Sequence, residues 1–103
     1  MVNFLKETIS VMGKYTLDPK EIIYIGDRKS SCSWEDFQKI ANIEYDNGYG
    51  GVAIIQGLII VFKNGVEMYR GEYDGGEWWE VHIPFNINAL KEQGKLSEVK
   101  DFW

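Results

Sequence analysis

Carboxylates and aromatic side chains crowd into residues 72–80, the densest group of chemically capable residues in the chain. The members of this run are Glu72, Tyr73, Asp74, Glu77, Trp78, Trp79 and Glu80. Paired carboxylates can act as general acid and base, as in glycoside hydrolysis, when one of them is buried with a raised pKa. An acidic hairpin tip gives no reason to expect such burial, so we expect no catalytic residues here.

Metal and cofactor chemistry find little support in the residue types. His82 and Cys32 are the only histidine and the only cysteine, so a metal site would need carboxylates around a single imidazole. As a general base, His82 would need a nucleophile of the 30–33 segment brought close by the fold. We expect no metal and no cofactor. The lone cysteine, which cannot form an internal disulfide, suits a reducing cytoplasm.

The composition indicates one small globular domain over residues 1–103. Hydrophobic residues make up 45% of the chain and aromatic residues 15%, enough for a single core. The formal charge of −5 argues against direct binding to a nucleic-acid backbone, because that affinity comes from clustered lysine and arginine. No stretch approaches the roughly 18 to 20 apolar residues of a membrane span, and no leader pattern opens the chain. We therefore expect a cytoplasmic protein without membrane contact.

Two main helices are predicted in the N-terminal half. Apolar residues at three-to-four spacing predict an amphipathic helix over residues 3–14. Ser33 is a suitable N-cap and acidic residues follow it, which predicts a second helix over residues 34–45. Pro84 ends the following sheet, and a short helical segment is expected over residues 88–93.

The remaining residues predict an antiparallel sheet. A β-branched run at 21–25 is the first strand, and a meander follows with strands at 52–56, 58–63, 66–73 and 77–83. Asn64-Gly65 is a strong hairpin signal. Residues 58–62 are apolar on both faces, which favours cover by helices on both sides, with another subunit as the alternative. The predicted fold is α+β, a four- to five-stranded meander sheet carrying two main helices and a short C-terminal helix.

Strand alternation divides the last predicted strand into two faces. It places Trp79 in the core and leaves Trp78 and His82 on the opposite face. Trp78 is therefore a candidate anchor for a protein partner, although packing beneath a helix is an equal alternative. The expected partner-binding residues are Glu72, Tyr73, Asp74, Glu77, Trp78 and Glu80.

The acidic residues of this region favour a basic partner. Between residues 66 and 80 there are five carboxylates and only one arginine. Such a patch can steer a basic protein surface toward it, or imitate the phosphates of a nucleic acid. The alternative is a solvated turn that keeps a sheet edge soluble.

A second hypothesis uses the connector at residues 26–33, which leads from a strand to the start of a helix. Backbone amides in that geometry, with Arg28 and Lys29 beside them, could hold a phosphate. The glycine-rich loop at 46–51, with Tyr49, would contribute to a small-molecule or nucleotide site. One form of this hypothesis is a homodimer that builds a pocket between its subunits. The spacing does not match a Walker loop.

Three motifs in residues 22–80 resemble a known group of proteins. Ser-Cys-Ser-Trp-Glu-Asp-Phe at 31–37, Glu-Tyr-Asp-Asn-Gly-Tyr-Gly at 44–50 and the run at 72–80 together are similar to small uncharacterised proteins of bacteriophages and prophages of Gram-positive bacteria. The resemblance implies an accessory phage protein that acts in the host cytoplasm by binding a host or phage protein. It further implies a non-catalytic inhibitor of a host enzyme or defence complex.

Overall fold

The structure, a computed structural model, describes residues 1–48, 53–85 and 94–99 and has an α+β fold. Its elements in chain order are β1 (Val2–Asn3), α1 (Phe4–Lys14), a 3-10 turn (Pro19–Glu21), β2 (Ile22–Gly26), α2 (Trp34–Ile40), β3 (Glu44–Tyr45), β4 (Ile59–Phe62), β5 (Glu67–Tyr73) and β6 (Gly76–His82). The predicted fold class is confirmed. The short helix predicted at 88–93 lies outside the described residues.

The main sheet has four antiparallel strands in the order β2-β4-β5-β6. The last three form the predicted meander, and the Asn64-Gly65 hairpin is confirmed: Gly65 takes φ +87° and the Asn64 carboxamide accepts from the Val66 amide. The strand predicted at 52–56 is wrong for residues 53–56, which form no strand. The backbone amides of Ala53 and Ile54 donate instead to the side chain of Glu77.

Helix α1 begins and ends within one residue of its predicted bounds. The Asn3 side chain caps it by accepting from the Lys6 amide at 2.9 Å, which satisfies one of the free N–H groups of the first turn. Its buried side chains, Phe4, Thr8 and Met12, recur every four residues and face the sheet. The predicted amphipathic stripe is therefore confirmed in its central members.

Helix α2 begins at Trp34 with Ser33 as its N-cap, as predicted, but it ends at Ile40 instead of residue 45. The residues after it form β3, which pairs with β1. Tyr45 is buried there, and the Ile43 carbonyl accepts from the Phe4 amide at 2.8 Å. Long-range pairing with the chain's start thus prevails over local helical propensity.

The core lies between the two helices and one face of the main sheet. Phe4 stacks on Trp79 with ring centroids 5.7 Å apart, and Phe37 packs edge-on to Phe4. Ile60 and Phe62 of β4 point into this core and are fully buried. We call this side of the sheet the inner face.

The opposite side, which we call the outer face, carries no helix of the described part of the chain. Ile59 and Val61 of β4 point outward and are only half-buried. The expectation that helices cover β4 on both sides is therefore wrong for the described residues: α1 and α2 both contribute to the same core. None of the helices that the structure describes is long and apolar enough to cross a membrane.

Candidate functional site

The run at 72–80 forms the tip and the second strand of the β5–β6 hairpin. Tyr73 pairs with Gly76, and the two residues between them, Asp74 and Gly75, both have positive φ, at 52° and 85°. This is the turn geometry that matches the twist of paired strands, and aspartate followed by glycine suits it. The predicted hairpin is confirmed.

The hairpin divides the six predicted partner-binding residues. Tyr73, Trp78 and Glu80 lie on the outer face, where alternation in β5 and β6 places them. Asp74 is exposed in the turn, and Glu72 is exposed on the opposite side, where its carboxylate accepts from the Gly75 amide at 3.4 Å.

Glu77 departs from the expectation of an exposed rim, which is wrong for this residue. Only 3% of it is exposed, because it lies on the inner face two residues before Trp79. Its carboxylate accepts from the backbone amides of Ala53 and Ile54, at 2.6 and 3.0 Å. These bonds fix the segment for which a strand was predicted. Glu77 is a structural residue.

Arg70 is the buried partner that the sequence reading missed. Its guanidinium lies 3.6 Å from the Glu77 carboxylate and 3.3 Å from that of Glu7. It also stacks beside aromatic rings, with Cζ 5.0 Å from the Phe4 centroid and 5.1 Å from the Trp79 centroid. The sequence did contain a signal for this burial, because Arg70 is two residues from Met68 in β5 and therefore points to the same, inner face. The one cation of the acidic patch is therefore inside the protein and neutralises none of its surface charge.

Tyr45 completes this buried polar network. Its hydroxyl donates to Glu7 at 2.6 Å and accepts from Arg70 at 3.0 Å. Burial, together with the hydrogen bond to Glu7, raises the pKa of Tyr45 to about 12. Nearby, the Trp79 indole donates to the Thr8 hydroxyl, which in turn donates to the Phe4 carbonyl. The hydrogen-bonded tyrosine, tryptophan and threonine fix α1 and β3 on the inner face.

Trp78 lies flat on the outer face in a fixed orientation. A Cβ atom on Gly71, its cross-strand neighbour, would be 2.7 Å from Nε1 of Trp78, so the indole ring covers that glycine. The ring nitrogen donates to the Glu80 carboxylate at 2.7 Å. Nevertheless, 38% of Trp78 remains exposed. The alternative in which a helix covers it is not what the described residues show.

Other aromatic residues extend this surface across the sheet. Tyr69, Tyr24 and Tyr73 are all exposed and point outward with Trp78. Ile59 and Val61 lie between them. We call this set of outward side chains the aromatic face; its members are Tyr24, Ile59, Val61, Tyr69, Tyr73, Trp78 and Glu80.

The connector at 26–33 folds around Asp27. The Asp27 carboxylate accepts from the amides of Lys29 and Ser30, each at 2.8 Å, and from the Ser30 hydroxyl. The hydrogen bonds from the two backbone amides, above all the one from Ser30, lower the pKa of Asp27. An internal carboxylate thus occupies two amides that the phosphate hypothesis needed. In addition, α2 is too short to offer a useful dipole.

Of the three residues assigned to the ligand hypothesis, the structure describes Arg28 and Lys29. Arg28 lines a cleft of about 490 Å³ with Tyr24, Ile59 and Tyr69, at the edge of the aromatic face. Lys29 is exposed, and Tyr49 lies outside the described residues. Gly26 permits the connector's tight return, since a Cβ there would come within 2.2 Å of the Ser30 carbonyl oxygen.

A second cleft, of about 460 Å³, opens between α2 and the segment that Glu77 holds. Its apolar walls include Phe37, Ile40, Ile54, Ile55 and Leu58. Cys32 is half-buried in this cleft, and burial raises the pKa of its thiol. A protonated thiol in apolar surroundings is a poor nucleophile at neutral pH.

The lone histidine is not part of a metal site in the described ranges. His82 is exposed at the end of β6, opposite Glu67. In residues 1–48, 53–85 and 94–99 no group of three or more histidine, cysteine or acidic side chains is placed to hold a metal ion.

Together, fold and surface define a small α+β protein with an aromatic, acidic outer sheet face. Comparison of the chain with protein-family models, with curated proteins and with solved structures finds no match.

Proposed function

We propose that this chain is a non-catalytic binding protein that engages a basic protein surface through its aromatic face. The observation that carries the proposal is Trp78, a large aromatic side chain that is 38% exposed and held rigidly by Gly71 and Glu80. Aromatic anchors that lose little conformational freedom on binding contribute much of the energy of protein interfaces.

The charge around this anchor supports a basic partner. Glu80 adjoins the ring and Asp74 is exposed in the turn beside Tyr73, while Glu72 is exposed on the opposite side of the same hairpin tip. Since Arg70 is buried, no cation of β5 or β6 offsets them. Opposite charges across an interface raise the association rate and exclude acidic competitors.

The resemblance of the three sequence motifs to phage and prophage proteins supports a biological setting. We propose an accessory protein of a phage of a Gram-positive host that acts in the host cytoplasm. Binding that blocks a host enzyme or a defence complex is the proposed outcome. A phage protein remains the alternative partner, and a homodimer a further possibility for the assembly.

The test is affinity capture from a Gram-positive host lysate, followed by titration of each captured protein in purified form. We expect the Trp78→Ala, Glu80→Lys double variant to lose at least about 2 kcal/mol of binding free energy, the size of an interface hot spot. The control is Tyr15→Ala, Glu35→Lys, which removes an exposed aromatic side chain and makes the same charge reversal at the helices. If the first variant is folded and still binds every partner of the parent, the proposal is wrong.

The cleft beside Cys32 favours one second candidate, a small-molecule-binding protein. Its volume of about 460 Å³ lies in the range of ligand pockets, and its walls are apolar. Because Asp27 already occupies the connector amides, an apolar ligand suits this cleft better than a nucleotide. A thermal-shift screen with nucleotides, sugar phosphates and small apolar compounds tests it, and the absence of any stabilisation would remove its support.

A further inference from the structure

The Trp78 ring packs against Gly71 and is partly exposed. A Cβ atom on Gly71 would lie 2.7 Å from the ring nitrogen, which donates to the Glu80 carboxylate at 2.7 Å. Of Trp78, 38% remains exposed. We propose that the exposed surface of this ring is a stacking site for the guanidinium of an arginine in the partner. This inference rests on the proposed function and specifies the group that the aromatic face recognises.

The electrostatics of the ring favour a cation. The face of an indole carries negative quadrupolar potential, and tryptophan is the strongest cation–π partner among the side chains. The Glu80 carboxylate at the ring's edge adds a full negative charge. The outward side chains of β5 and β6 include no lysine or arginine. Within these two strands, no outward lysine or arginine therefore offsets the charge of Glu80.

The geometry favours arginine over lysine. A guanidinium is planar, so it can stack on the indole. The N–H groups in its own plane can then donate to a carboxylate beside the ring. A lysine ammonium supplies charge without a stacking plane. A neutral sugar ring would use the indole but would gain nothing from the charge of Glu80.

The inner face of the same two strands already contains the proposed arrangement. There Trp79, on β6, has the Arg70 guanidinium 5.1 Å from its ring centroid, and Glu77 lies 3.6 Å from that guanidinium. The outer face repeats the tryptophan and the carboxylate, as Trp78 and Glu80, but the β5 residue paired with Trp78 is Gly71, which has no side chain and is covered by the ring. A partner's arginine would supply the cation from the exposed side of the ring instead.

Nuclear magnetic resonance of the ¹⁵N-labelled full chain can test this directly. The Trp78 indole signal is identified by its loss in Trp78→Phe. The probes are N-acetylarginine methylamide, the corresponding lysine and citrulline compounds, and maltotriose. We expect a saturable shift of the Trp78 signal with the arginine compound, at least about threefold tighter than with citrulline and weakened by salt.

Two variants separate charge from packing. Glu80→Gln keeps an acceptor for the ring nitrogen but removes the charge, so the preference for arginine over citrulline should shrink to the part that the ring itself supplies. Glu35→Gln changes the net charge equally on an exposed site of α2 and should leave the preference intact. Equal binding of arginine and citrulline to the parent, a shift with maltotriose alone, or no shift at Trp78 would overturn the inference.

These results are distinguishable from failure of the proposed function. If Trp78→Ala abolishes capture of a partner but the arginine compound leaves the Trp78 signal unchanged, the binding face stands and arginine stacking is wrong. If the arginine compound binds at Trp78 but the variant captures every partner of the parent, the stacking site stands and the proposed function is wrong.

Discussion

The Glu77 carboxylate lies 3.6 Å from the Arg70 guanidinium, and neither side chain reaches solvent. The same carboxylate accepts two backbone amides, so its charge is compensated from several directions. Removing the Glu77 carboxylate would leave the two backbone amides without this acceptor and Arg70 with one buried ion-pair partner fewer, which costs far more than the pair contributes by itself. Stability should therefore depend on Glu77 much more than on the exposed acids of the same hairpin.

Replacing Glu77 by glutamine should lower the free energy of unfolding by about 3 kcal/mol or more. The amide removes the charge that faces Arg70 and turns an N–H donor toward a backbone donor. Urea denaturation measures the change. Glu72→Gln, at the exposed position opposite Glu77 in the ladder, should change stability by less than about 0.5 kcal/mol. Similar midpoints for both variants would contradict this role of Glu77.

Thr8→Val should destabilise the protein by about 1–3 kcal/mol, because the buried indole N–H of Trp79 loses its acceptor. Trp79→Phe removes that donor, so the threonine change should cost less in that background. The double-mutant cycle, measured by denaturation, should give a coupling energy of at least about 0.5 kcal/mol. Simple additivity would show that the hydrogen bond contributes nothing.

Gly71→Ala should displace the Trp78 ring, since the new Cβ would lie within 2.7 Å of Nε1. We expect the Trp78 indole resonance to move and the hydrogen bond to Glu80 to weaken. Gly13→Ala in α1 is the control, because nothing lies within 4 Å of its new Cβ, and it should stabilise the helix slightly. An unmoved Trp78 resonance in Gly71→Ala would disprove the packing.

Tyr45→Phe should be less stable than the parent at neutral pH, and the difference should shrink in alkali. Tyr45 has its pKa raised from 10.0 to about 12 in the folded state, so its contribution is complete below pH 10.0 and is lost as the pH rises toward 12. Unfolding free energies of both proteins between pH 8 and 12 measure the difference. A Tyr45→Phe difference that is constant with pH would contradict the prediction.

Local signals in the sequence were sufficient for most elements. Three-to-four apolar spacing predicted α1, and Asn64-Gly65 and the glycines after Asp74 predicted both hairpins. The predicted end of α2 and the strand predicted over residues 53–56 were wrong, because distant residues decide both. Pairing with β1 ends α2 early, and the Glu77 carboxylate takes the amides of Ala53 and Ile54.

In the candidate site, too, the local sequence pattern predicted some residue positions correctly and others wrongly. Alternation correctly separated Trp79 from Trp78, and Tyr73 and Glu80 share the outer face. Treating every carboxylate as a surface residue led to the error over Glu77. The parity that buried Trp79 applied to Glu77 as well, and the only arginine of the region had the matching parity in β5. The alternation of the strands therefore indicated that Glu77 and Arg70 are buried, and their charges alone led to the expectation of exposure.

The single residue Glu77 also holds the chain on both sides of residues 48–52. Its backbone amide donates to the Asn47 carbonyl at 2.6 Å, and its carboxylate accepts from the Ala53 and Ile54 amides. Because one strand residue fixes both anchor points, doubling the length of chain between them should cost only about 0.6 kcal/mol of closure entropy. We therefore expect sequence inserted between Asn47 and Ala53, such as an epitope, to leave the sheet intact.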